Sequence, residues 1–226
     1  MTLLSIHNVT VKVPGLSSPI LSIPHFYLQS SQQIALMGPS GCGKSTFLNI
    51  ICGLLKPSSG NILWKNQDLT MLSTAQCDHW RFQNIGIIMQ DFYLTNGLTA
   101  LDNVLLPSVF RNCHIKASLQ QREKYLLQQL KMPHFDTDVE HLSRGEKQRV
   151  AIARALLHQP KIIIADEPTA SLDKENSQII SQLLCNISTE ENCTLIVATH
   201  DLFLASQLKR KIQLGNGIIV SDNDKE

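Results

Sequence analysis

The sequence predicts an α/β fold built on a largely parallel sheet. Three observations predict it. Short β-branched apolar runs recur along the 226 residues with helix-period stretches between them. One run, Ile34 to Met37, leads directly into a glycine-rich loop and a helix. Another, Ile162 to Ala165, ends in two adjacent carboxylates, at the edge where α/β sheets place their ligands.

At the N-terminus, Leu3 to Val13 and Ile20 to Leu28 read as antiparallel strands joined by the turn-rich PGLSSP, Pro14 to Pro19. Ile34 to Met37 reads as a buried strand and Ser45 to Cys52 as a helix. Further strands are expected at Ile62 to Trp64, Ile85 to Met89, Ile162 to Ala165, Leu195 to Ala198 and Ile218 to Val220, which with the N-terminal pair makes a mixed sheet. Asp91 to His141 reads as a helical insertion. Thr99 and Asp102 have capping-box spacing before NVLLPSVF, and SLQQREKYLLQQLKM has the polar-apolar pattern of a helix. The expectation is one domain over 1–226, with a helical part at about 91–158 set into the core. The polar ending SDNDKE reads as a solvated tail, and no internal repeat is visible.

Composition, 43% hydrophobic and 17% charged, is that of a globular protein with a sizeable core. A net charge of +1 shows no electrostatic footprint for nucleic acid. The six cysteines form no C-x-x-C pair, and MTLLSIHNVT has no signal-peptide pattern, which implies a reducing, cytoplasmic setting. No apolar stretch approaches the roughly 18 residues that cross a bilayer, so any membrane role is borrowed from a partner.

The loop GPSGCGKST, Gly38 to Thr46, fits G-x-x-x-x-G-K-[ST]. In that pattern backbone N–H groups wrap phosphates, the lysine reaches the terminal ones and the hydroxyl after it binds Mg²⁺. The strand before and helix after put the loop where a helix N-terminus meets an anion, and the bound group is expected to be a nucleoside triphosphate. Cys42 reads as a small residue in a loop with little room, with no redox role. Asp166 and Glu167 close the later strand; one can hold Mg²⁺ while the other orients or deprotonates a water. By themselves they read equally well as a polar strand end before the turn at Pro168. In LSRGE, Leu142 to Glu146, Ser143 and Glu146 are spaced as a capping box before the helical EKQRVAIARALL. That turn is also a second helix N-terminus able to meet an anion.

With these residues in their order and spacing, the chain resembles the ATP-binding subunit of an ABC transporter over essentially its whole length. The stretch IGIIMQDFYLTNGLTALDNVLLPSVF and the ending LSRGEKQRVAIARAL are most similar to the ATPases of lipoprotein-releasing and macrolide-exporter systems, with the related cell-division ATPase a close competitor. The resemblance implies a P-loop NTPase fold with a RecA-like core, an N-terminal antiparallel β-subdomain and a helical subdomain. It implies ATP and Mg²⁺ as cofactors, a transmembrane permease subunit as partner, and a place on the inner face of the cell membrane through that partner.

Residue by residue, the resemblance implies that Gly38, Pro39, Ser40, Gly41, Cys42, Gly43, Lys44, Ser45 and Thr46 cradle the phosphates, with Ser45 on Mg²⁺. Gln90 corresponds to the glutamine that touches Mg²⁺ and the attacking water and senses the transmembrane partner. Asp166 anchors Mg²⁺ through water, and Glu167 is the general base. Ser171, Leu172 and Asp173 match the segment that crosses to an opposing subunit, and His200, in VATHD, matches the histidine that contacts the γ-phosphate. Ser143, Arg144, Gly145 and Glu146 form the signature turn, which in this family completes the site of a second copy, or of a paralogous ATPase, in a head-to-tail dimer.

Two positions depart from the pattern. An aromatic that stacks on adenine is expected where Val13 stands, and losing such a stack costs on the order of 1 to 3 kcal/mol. Arg144 occupies a usual glycine position, so it is either strained at positive φ or available to the partner's γ-phosphate. Three alternatives stay open at this point: an ATP-driven regulatory module acting through a membrane protein without moving solute, a soluble relative acting on DNA or ribosomes, and a solitary kinase or GTPase. The last would leave LSRGE and TASLD without purpose.

Overall fold

The computed structural model describes residues 2–111 and 116–223, so Cys113 and the last residues of the tail lie outside it. Two sheets pack face to face. The first is antiparallel, in the order β2-β1-β4-β5, from β1 (Thr2–Val11), β2 (Leu21–Gln29), β4 (Ser59–Trp64) and β5 (Gln67–Asp68). The second has six strands. It comprises β3 (Gln33–Met37), β6 (Ile85–Ile88), β7 (Ile162–Asp166), β8 (Thr194–Ala198), β9 (Arg210–Gly215) and β10 (Ile218–Asn223), in the order β10-β9-β3-β8-β7-β6. It is parallel except where β10 returns on β9. The implied N-terminal antiparallel part beside a mixed core sheet is therefore correct, but β10, not the N-terminal pair, is the strand that makes the core sheet mixed.

Two details differ from the expectation. Ile62 to Trp64 belongs to the antiparallel sheet, because Ile62 and Trp64 lie opposite Ile6 and Leu4 of β1. The tail is not wholly solvated. Ser221 to Asn223 continue β10, and Asp222 takes a bidentate pair from Arg210, Nε to Oδ1 at 2.8 Å and Nη2 to Oδ2 at 2.6 Å.

The strands of the six-stranded sheet are apolar on both faces because both faces are covered. Ile162 and Ile164 of β7 face the antiparallel sheet, while Ile163 and Ala165 face the helices. Helix α1 (Lys44–Ile51) lies within the first of these layers, burying Phe47, Leu48, Ile50 and Ile51. Each such side chain contributes roughly 1.5–3 kcal/mol of burial, so the helix that follows the glycine loop is firmly seated.

The other layer is helical. It contains α3 (Ala100–Val109), α4 (Ala117–Gln129), α5 (Arg144–Leu156), α6 (Lys174–Glu190) and α7 (Leu202–Gln207). Residues 91–98, expected to begin the helical insertion, form an irregular loop. Both expected capping boxes are present: Thr99 with Asp102 starts α3, and Ser143 with Glu146 starts α5. Helix α2 (Thr74–Asn84) and strand β9 were not expected from the sequence. Helix α2 carries its own capping box, Ser73 with Gln76. No helix among the described residues is long and apolar enough to cross a membrane.

Candidate nucleotide site

Three neighbouring parallel strands, β3, β8 and β7, deliver the chemistry at their C-terminal ends. From β3 the chain enters the glycine loop. Gly43 caps α1 at φ 107 with no side-chain cap bond, so the first N–H groups of the helix face outward. Gly38 is needed for a different reason: a Cβ there would stand 2.3 Å from the carbonyl oxygen of Leu214 and 2.7 Å from Cys42 Sγ. Cys42 is buried against that wall, and its carbonyl accepts from Gly217 N at 3.0 Å, which ties the loop to the β9–β10 hairpin. Lys44 Nζ donates to the carbonyls of Gly38 (2.8 Å) and Pro39 (3.1 Å).

Strand β7 ends in Asp166, whose carboxyl is pushed up by burial. The Ser45 hydroxyl that hydrogen-bonds it opposes the shift, the Glu167 charge adds to it, and Lys44 opposes it. Glu167 follows at φ 47, a left-handed conformation uncommon outside glycine and of the kind that clusters at functional sites. Its N–H donates to Ala198 O at 2.8 Å, which turns the side chain toward the end of β8. There Glu167 Oε2 lies 2.8 Å from His200 Nδ1 and accepts from His200 N at 3.3 Å. The glutamate side chain is sheltered, 14% exposed, and the histidine is open, 70% exposed.

One cleft of about 480 Å³ is bounded by Gly38, Pro39, Ser40, Gly41, Lys44, Ser45, Gln90, Asp166, Glu167 and His200, with Ala170 added to the expected set. Cys42, Gly43 and Thr46 sit behind it, in or next to the first turn of α1. Val13, 41% exposed on the loop after β1, does not line it.

The signature turn lies elsewhere. Ser143 Oγ accepts from Glu146 N at 3.3 Å and donates to Glu146 Oε2 at 2.6 Å; the same carboxylate oxygen accepts from Ser143 N at 2.8 Å. That serine hydroxyl is the main reason the Glu146 carboxyl sits below its usual range. Arg144 is the first residue of α5, is not among the positive-φ residues, and donates from Nη1 to Ser171 O at 3.2 Å, so the strain considered for it is not there. Gly145 is buried against Asn176, whose Oδ1 would stand 3.0 Å from an added Cβ. Asn176 is in turn held by Asp173, which caps α6. Residues 143–146 and 171–173 thus form a second cluster, and none of them lines the cleft.

Asp201 was overlooked at the sequence level. Its Oδ2 accepts from Thr169 Oγ1 (3.1 Å) and Ser177 Oγ (2.7 Å), and its Oδ1 caps α7, so it ties the turn after Glu167 to the turn carrying His200. Burial opposes its ionisation, but these bonds hold its carboxyl below the ordinary range. An Asp just before an apolar helical run was the available N-cap signal. Cys52 is buried at the end of α1, and burial pushes its thiol up to about 12.

Known proteins resemble this chain in sequence and in fold. The family described as ABC transporter matches residues 21–170. The lipoprotein-releasing system ATP-binding protein LolD of Idiomarina loihiensis is 40% identical over 194 residues, 86% of this chain and 85% of that protein. The LolD of Hydrogenovibrio crunogenus is 37% identical, covering 89% and 88%. Among solved structures, a dimeric ATP-binding cassette in a post-hydrolysis state bound to ADP and Pi superposes with a TM-score of 0.85 at 33% identity, over 98% of both chains. The matched span contains the glycine loop, the signature turn and both carboxylates, and the chain accordingly belongs to the ABC transporter family.

Proposed function

We propose that this chain is the ATP-binding and ATP-hydrolysing subunit that energises a separate transmembrane partner of the lipoprotein-release or export type, held on the inner face of the membrane by that partner. One observation carries the reading: Lys44, Asp166, Glu167 and His200 surround one cleft while the Ser143–Gly145 turn stands outside it. A site with that division of parts is completed by a second chain, head to tail. The relatives named for lipoprotein release and the dimeric ATP-binding cassette support it.

In this reading the glycine loop and α1 N-terminus hold the phosphates, and Lys44 exchanges its loop carbonyls for phosphate oxygens. Ser45 and Asp166, already hydrogen-bonded to each other, are the hard oxygen donors that suit Mg²⁺, with Gln90 beside them in the cleft. When bound, that ion neutralises charge on the β- and γ-phosphate oxygens. Glu167 accepts the proton of the attacking water, oriented by His200. Ser143 and Gly145 meet the γ-phosphate of the partner chain's nucleotide. Positioning and charge do most of the work, since phosphoryl transfer asks little covalent chemistry of the protein.

The test is Glu167→Gln in the full chain. Nucleotide binding and dimer formation are expected to persist, while phosphate release falls by about 10²–10⁴-fold. A variant that releases phosphate at the wild-type rate would remove Glu167 as the base. A wild-type chain that releases none overturns the ATPase reading itself.

A further inference from the structure

The last turn of α5 carries an arginine that no phosphate or metal role accounts for. Arg154 Nη1 donates to the carbonyl of Tyr93 at 2.6 Å and Nη2 to that of Phe92 at 2.5 Å. Both carbonyls lie just beyond Gln90, on the loop that joins β6 to α3. The guanidinium is half-buried, burial lowers its pKa, and it makes no ion pair among those described. Withdrawing a cation from water with only carbonyls to receive it is costly, so an aliphatic side chain would fill this helix face at lower cost. The loop itself bends through Tyr93 at φ 47, a conformation a tyrosine does not hold without support.

The far end of the same loop is pinned separately. Buried Asn103 of α3 accepts from Thr95 N at 2.7 Å and donates to the carbonyls of Thr95, Leu98 and Thr99. Arg154 is thus the clamp on the Gln90 side. It stands on the thirteen-residue helix whose N-cap and first turn are Ser143–Glu146, so one rigid rod, about 15 Å from Arg144 to Arg154, joins the signature turn to the Gln90 loop.

From this geometry we infer that Arg154 is a positioning residue for Gln90: it holds the Phe92–Tyr93 backbone so that the glutamine side chain faces the cleft in register with the signature turn. The inference rests on the function proposed above, in which Gln90 acts at bound ATP. A competing role is simple: a cation in the last turn complements the helix dipole. Lysine serves that role as well, but its ammonium is a single point charge without the two separate, coplanar donor nitrogens that here take one carbonyl each.

Arg154→Lys therefore separates the two. In steady-state ATPase assays of the full chain, kcat is expected to fall about tenfold, with KM for ATP within about twofold and an unchanged thermal midpoint. In a Gln90→Ala background, itself slowed, the same change is expected to add less than about twofold. Wild-type kcat in Arg154→Lys, equal losses with and without Gln90, or a loss that follows a lowered thermal midpoint would each overturn the inference. A slow Gln90→Ala control is required: if that variant turns over normally, Arg154 cannot be acting through it. Failure of wild type itself to release phosphate would instead sink the underlying ATPase reading, and the inference with it.

Discussion

Glu167 and His200 are joined across the ends of adjacent parallel strands, Oε2 to Nδ1 at 2.8 Å, with the glutamate sheltered and the histidine open to solvent. A carboxylate only accepts, so this bond puts the proton on Nδ1 and leaves Nε2 as the free edge of the ring. Removing the imidazole frees the carboxylate to swing without disturbing the core. We expect His200→Ala to lower kcat by at least about tenfold at an unchanged thermal midpoint. Single-turnover phosphate release measures it, and wild-type turnover would show that the pair has no part in the chemistry.

Arg144 sits in relaxed helical backbone and leans on Ser171 O. Its removal is expected to change stability by less than about 0.5 kcal/mol, as for exposed residues generally. In the head-to-tail dimer proposed above, where the signature turn meets the partner chain's phosphate, Arg144→Gly should nevertheless alter ATPase rate or the lifetime of the ATP-bound dimer several-fold. Chromatography of the dimer in a Glu167→Gln background follows the lifetime; indistinguishable behaviour would remove Arg144 from the site.

Gly38→Ala forces a methyl into the Leu214 carbonyl and the Cys42 thiol. Since the nearest obstacle is backbone, relief requires moving the loop or β9. Expected is a loss of about 1–3 kcal/mol by overpacking together with weakened nucleotide binding. Chemical denaturation and nucleotide titration read the two effects, and normal values in both would mean that the loop has slack.

Glu123 is almost fully buried on α4, its Oε1 without a hydrogen-bond partner. Burial pushes its carboxyl from 4.5 up to about 7; Asp102 at the start of α3 adds to the shift and Lys124 opposes it. The folded chain keeps this proton to higher pH than the unfolded chain does. Stability from this group is therefore complete below about 4.5 and is lost as pH rises toward 7, by up to about 3 kcal/mol. Glu123→Gln should flatten that slope and stabilise the protein at pH 8, seen in denaturation midpoints across pH. A variant with the same slope as wild type would place the titration elsewhere.

Where the pattern was locally complete, the sequence was legible. Capping boxes at Thr99 and Ser143 announced α3 and α5, and continuous apolar runs announced β3, β7 and β8, because those signals depend on neighbours in the chain. Strand β9 escaped because its buried Arg210 reads as a surface residue until Asp222 and the Tyr27 carbonyl are brought to it. The Asn216–Gly217 pair, both at positive φ, was a usable hairpin signal for the β9–β10 return. Helix α2 carries the same kind of signal in Ser73 and Gln76, but the apolar periodicity that should follow is weak, with Cys77 its only buried residue, and the helix escaped.

The sequence by itself determined the phosphate loop, the carboxylate pair and the helix-capping signature turn, since each is a short run whose spacing carries its chemistry. Only the tertiary structure decided which of them meet. Parallel pairing of β7 with β8 and of β3 with β8 brings Glu167 to His200 and Asp166 to Ser45, contacts between residues far apart in the chain. The same packing puts Ser143–Gly145 beside Ser171 and Asn176, away from the cleft, and gives Arg154 the backbone beyond Gln90. Such pairings follow from how buried layers stack, and no local spacing encodes them.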